Sequence, residues 1–154
     1  MTHLLQQLDH LLPLVSRWVE EQEAYILQHG VELSPDQQID AFEVGVKEIS
    51  KVRLMRVKEI PRPTHPVLRS AAQLANLVST QTAGISFRYG IFIRADQWQK
   101  RRLIVHELTH TMQYERFGSP EAFLRQYLWE CLEVGYPFGP LEQEAIQMEK
   151  TICG

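Results

Sequence analysis

A chain of 154 residues, 44% hydrophobic and 23% charged, is the size of one domain and has the composition of a folding globular protein. A formal charge of −3 gives no electrostatic reason to expect a nucleic-acid partner, and the short Lys100-Arg101-Arg102 cluster reads as a solvated helix face. The two cysteines, Cys131 and Cys153, lack metal-binding or redox spacing, so neither a disulfide framework nor a cysteine-rich structural zinc site fits.

The opening MTHLLQQLDHLLPLVSRW has no basic region ahead of its apolar residues and no small-residue cleavage site, and no eighteen apolar residues run together anywhere. These features predict a cytoplasmic protein without a membrane partner. Leu4, Leu5, Leu8, Leu11, Leu12, Val15, Trp18 and Val19 recur at helical spacing, predicting a first helix that ends near Gly30 and is open to a break at Pro13. Ser34-Pro35-Asp36 is a helix start, with serine as N-cap, and predicts a helix over Pro35–Ser50.

The period then changes to two over residues 52–60, a strand halted by Pro61-Arg62-Pro63. A helix over Pro66–Ser79 follows, then a hairpin of residues 85–88 and 91–94 around Tyr89-Gly90. Asp96 is the expected cap of a long helix reaching Phe117 and stopped by Gly118. Ser119-Pro120 starts another helix that ends at Gly135, and a final helix spans about Leu141–Lys150. The expected fold class is α+β, one domain over 1–154, with four to six helices on one face of a small sheet. Cys131 and the tryptophans Trp18, Trp98 and Trp129 read as core residues.

The long helix carries His106-Glu107-Leu108-Thr109-His110. Residues four apart share a helix face, so both imidazoles can converge on one ion, and zinc takes such nitrogens at about 2.0–2.1 Å. Glu107, beside the first ligand, is placed to act as a general base on water whose pKa zinc lowers to roughly 7. Chance alone yields HExxH in on the order of one such chain in fifty, so the helical context must carry the rest. An ordinary solvated helix remains the plain alternative. A di-iron carboxylate site would require a second ExxH on another helix, and the chain has none.

No His or Asp follows His110, which leaves a glutamate as third ligand: Glu115, Glu121, Glu130, Glu133, Glu142, Glu144 and Glu149 are the candidates. HELTH followed by Gln113, Tyr136 and 140-PLEQEA resembles the gluzincin branch of zinc metallopeptidases, in particular small bacterial chains with an HELTHxxQ…PLExEA pattern. The resemblance covers about Tyr89 to Met148 and says nothing of the first fifty residues. It implies a zincin-like fold with the motif on a central helix, Zn2+ as cofactor, and a peptide or protein substrate. It implies Glu142 as third ligand, with Glu144 as the alternative, and Ala145 as a small residue where two helices approach. Gln113 would orient a ligand, and Tyr136, or else Tyr89, would be the candidate oxyanion donor. The absence of an HxxGxxH extension separates the chain from metzincins. An extended substrate would add to an edge strand bordering the metal cleft, expected at 91–94. A non-catalytic zincin-like scaffold or accessory binding module, with zinc retained or lost, is the alternative function; oligomeric state is open.

Overall fold

Ile91 and Ile93 lie on one side of a strand and Phe92 on the other, and all three are buried, so the sheet built around them carries a core on each face. The computed structural model describes residues 6–74 and 82–154. Within them the order is α1 (Leu8–His29), β1 (Val31–Glu32), α2 (Pro35–Val44), β2 (Arg53–Val57), α3 (Pro66–Leu74), β3 (Gly84–Phe87), β4 (Gly90–Arg94), α4 (Arg101–Phe117), α5 (Pro120–Glu130) and α6 (Pro140–Cys153). The six helices and four-stranded mixed sheet form an α+β fold. No helix among the described residues is long and apolar enough to cross a membrane.

The strand order is β1-β2-β4-β3, with β2 and β4 parallel and the two outer pairs antiparallel. Leu54 stands opposite Ile91, and both pack with Ala41 and Val44 of α2 and Ile104, Val105 and Leu108 of α4. On the other face, Phe87 and Phe92 pack with Val19 and Ile26 of α1. That second core runs past the sheet edge to Phe123 and Leu124 of α5 and Leu141 of α6. The one-sided packing expected from the sequence is therefore corrected: helices cover both faces, because β4 has no polar face to offer to water.

A second correction concerns the edge. The strand at 90–94 is interior, since its parallel pairing with β2 occupies one side and the hairpin with β3 the other. Among the described residues the edge near the motif is β3, whose partner is β4 alone.

The helices depart from expectation mainly at their ends. α1 runs through Pro13 without interruption. α2 stops at Val44 instead of Ser50, because Gly45 takes a left-handed conformation (φ 104°) and its N–H closes on the Ala41 and Phe42 carbonyls. Its start is as read: Ser34 and Gln37 form a reciprocal capping box. Asp96 does not cap α4; it sits in a 3-10 turn, Ala95–Gln97, and pairs with Arg94 at 2.6 Å, while α4 begins only at Arg101. The helix expected to run from Ser119 to Gly135 is α5 as far as Glu130 and then a π-helical turn, Cys131–Gly135. Cys131 is buried and free, but Trp129 is 43% exposed, because it lies on the outer face of α5. Leu4, Leu5 and the 75–79 end of the third expected helix lie outside the described residues.

Candidate metal centre

The middle of α4 is buried on every side, which is unusual for a segment this polar: Glu107, Thr109, His110, Thr111 and Gln113 are all buried. Each must therefore find a partner inside the protein. Thr109 answers locally, donating to the Val105 carbonyl at 2.8 Å. The histidines and Gln113 turn outward from the helix axis toward α6, and Ala145, fully buried on α6, leaves room for the two helices to close up.

The start of α6 is set from α5. Gly139 has no side chain with which to cap the helix; instead Glu130 reaches across, and its Oε1 accepts the Leu141 N–H at 2.8 Å. A Cβ at position 139 would stand 2.7 Å from that of Glu130, so only glycine permits this approach. The next residue after the anchored Leu141 is Glu142. Its Oε1 lies 2.6 Å from His106 Nε2 and its Oε2 lies 3.1 Å from His110 Nε2. His106, His110 and Glu142 thereby form a group whose ligand atoms all fall within 4.8 Å of one another.

These three residues suit a divalent cation. In a tetrahedral site with bonds of about 2.0–2.1 Å, neighbouring ligand atoms stand about 3.3 Å apart; the 3.1 Å contact at His110 is close to that, and the 2.6 Å contact at His106 is a hydrogen bond that would lengthen around an ion. The opposite ring nitrogens are already committed. His106 Nδ1 lies 2.6 Å from Glu149 Oε2, and His110 Nδ1 lies 2.8 Å from Gln113 Oε1. With Nδ1–H donating to these oxygens, both Nε2 lone pairs face the common point, the tautomer that metal ligation requires. Tyr127 O–H donates to Glu142 Oε2 at 2.9 Å and fixes the carboxylate from the α5 side.

Charge follows the same geometry. Burial opposes a charged imidazole at His106, but the hydrogen bond to Glu142 and the nearby carboxylates outweigh it and raise the pKa to about 10. His110 is raised in the same way, again against burial and by Glu142. Burial acts to raise the Glu142 pKa; the two histidines reverse that and hold the carboxyl below its usual range. Without a cation, the site is closed by its own imidazolium–carboxylate pairs.

Each residue singled out in the sequence now has a place. Glu107 is buried and lines the cavity that His106, His110 and Glu142 also line, without being one of their group; burial, ahead of the opposing pull of His106 and His110, raises its pKa. Tyr136 lines the same cavity, and its phenol is raised by burial and by the charges of Glu142 and Glu107. Gln113 bridges the helices, with Nε2 donating to the Leu141 carbonyl at 2.9 Å and to Glu144 Oε1 at 2.7 Å. Glu144 stands outside the ligand group, paired with Arg116 at 2.8 Å. Tyr89 is not at the centre, because its hydroxyl donates to Glu115 at 2.9 Å on another side of α4. Glu115 itself is spent on the Lys47 and Glu48 amides.

Three functional positions were not assigned from sequence. Glu149 lies seven residues after Glu142, two helical turns on the same face, and that spacing was available as a signal. Glu130 and Tyr127 carried none, since both act through how α5 packs.

Compared with known proteins, the chain matches no family model, no curated protein and no solved structure.

Proposed function

We propose that this protein is a zinc-dependent metallopeptidase of gluzincin type, with His106, His110 and Glu142 as ligands and Glu107 as general base. The observation that carries the reading is the sharing of one cavity by His106, His110, Glu142 and Glu107. Two imidazoles and one carboxylate make the donor set of hydrolytic zinc sites that keep a position open. When bound, zinc supplies Lewis acidity, polarising a carbonyl and lowering the pKa of water to about 7.

Glu107 takes a proton from the attacking water as its oxygen bonds to the carbonyl carbon, and delivers that proton to the amide nitrogen as the C–N bond breaks. Its burial favours a carboxyl that holds the proton between the two steps. Tyr136, in the same cavity with its proton retained, is the donor for the oxygen on which charge develops. Glu149 and Gln113 keep the imidazoles oriented, and Tyr127 does the same for Glu142. Residues of β3, an edge strand among the described residues, line the cavity, so a substrate strand added to that edge would run past Glu107.

The test is elemental analysis of protein purified without added metal, followed by casein hydrolysis. Stoichiometric zinc with chelator-sensitive cleavage is expected. Zinc without cleavage would turn the assignment to a non-catalytic scaffold, and no metal uptake even on zinc addition would end it.

A further inference from the structure

The outer face of α2 is not the polar surface that a helix lying on a sheet usually turns to water. Ala41 and Val44 pack inward with Leu54 and Ile91, and the Asp40 carboxylate is spent on Arg101 at 2.9 Å. Outside them stand Ile39, 58% exposed, and Phe42, 76% exposed, one helical turn apart. With Pro35, Gln38 and Ile49 they line a groove of 640 Å³ beside β1. The groove shares no lining residue with the cavity of Glu107.

We propose that this groove docks a basic amphipathic helix of a partner protein, with the apolar residues of that helix seated on Ile39 and Phe42. The apolar anchors follow from exposure. Single apolar side chains scattered over a surface are ordinary, whereas two neighbours lining one groove mark a surface that binding covers. The helical form follows from the sheet edge. β1 is two residues long, and the Leu33 carbonyl just beyond it already accepts Gln38 Nε2 at 3.0 Å, so an added strand finds little backbone to pair with. Volume agrees, since the groove is about four times the size of a cavity that takes a benzene ring, room for one face of a helix. Charge follows from the rim. Asp36 and Glu43 are exposed one turn before and one turn after Ile39, and Glu32 is exposed on the β1 side. Arg53, the cation of the lining, is already engaged by Glu32 at 3.5 Å and by the Ser50 and Val52 carbonyls. Two copies of this rim would bring like charges together across a two-fold contact, which makes a second copy of the chain the poorer occupant. Lysines or arginines flanking the apolar anchors complement it.

The experiment titrates the full chain into two labelled helical peptides and reads fluorescence anisotropy. One is built of leucine and lysine with the leucines along one face, and the other carries glutamate in place of lysine. The lysine peptide is expected to bind saturably, about tenfold more tightly than the glutamate peptide, and to weaken as salt is raised. Phe42→Ser alters a side chain that is mostly exposed, so circular dichroism should be unchanged while affinity falls about ten- to a hundredfold, the worth of one aromatic side chain removed from water. Ile39→Ser should fall in the same direction, and Glu43→Lys should weaken the lysine peptide and favour the glutamate one. Sedimentation velocity of the free chain, wild type and Phe42→Ser, is run beside the titration. Equal binding of the two peptides, no binding of the lysine peptide, or affinity unchanged in both serine variants overturns the proposal. A dimer that Phe42→Ser abolishes gives the groove to a second copy and overturns it as well. No residue of the metal centre takes part, so the outcome is independent of whether zinc is bound.

Discussion

Glu149 meets His106 Nδ1 at 2.6 Å, two turns along the same helix from the carboxylate that meets His106 Nε2. One helix thus grips both nitrogens of one ring. Glu149→Ala leaves Nε2 free but lets the ring turn and its tautomer change. A loss of about 10–100-fold in zinc affinity is expected, read by competition with a chromophoric chelator. His106→Ala in the same assay should bind too weakly to compete. Equal affinities in wild type and Glu149→Ala would remove the orienting role.

The two glutamates at the start of α6 should behave oppositely. Glu142→Gln replaces a charged oxygen ligand with a neutral amide and is expected to abolish stoichiometric zinc. Glu144→Gln loses a partly exposed pair with Arg116, worth about 0–1 kcal/mol, and should keep its metal. Elemental analysis of both, with thermal melts, separates them. Metal retained in the first and lost in the second would reverse the ligand assignment.

Glu107→Gln should hold zinc as wild type does, because Glu107 lines the cavity but is not one of the three residues that could hold the ion. Cleavage of casein is expected to fall by about 10²–10⁴, the usual contribution of a general acid–base group. Equal rates in the two proteins would end the role of Glu107 as base.

The metal-free protein should be most stable in mild acid. His106 is raised from 6.5 to about 10 and His110 is raised as well, so their contribution is complete below 6.5 and fades as pH rises through the folded values. Glu142 is lowered from 4.5, so its share is complete above 4.5 and is lost in stronger acid. Glu107, raised from 4.5 by burial, loses its share as pH rises from 4.5 upward and so draws the maximum toward the acid end. Melting temperature without metal is therefore expected to peak between pH 4.5 and 6.5. Zinc binding near neutrality should release a proton from each histidine, seen as a calorimetric heat that changes with buffer ionisation enthalpy. A heat independent of buffer would show the imidazoles neutral beforehand.

Legibility in the sequence tracked how local each determinant is. The N-cap at Ser34 and the stop at Gly118 depend on a few neighbouring residues, and both stand as read. The pairing of His106 with His110 needs only helical spacing. The interior position of β4 was not legible, because a short apolar run with β-formers reads alike at an edge and between two strands. Asp96 misled for a related reason: its side chain is a good cap in isolation, but Arg94 two residues earlier claims it. Glu130 could not have been found at all, since its work lies in reaching the Leu141 amide from another helix.

The walls of the cavity and its chemistry come from different parts of the chain. α1 and α3 supply apolar surface, whereas α4 and α6 supply Glu107 and the three residues that could hold a metal ion. Substitutions in the first half can therefore reshape the space in front of the three residues while leaving the residues themselves, and the helices that carry them, untouched.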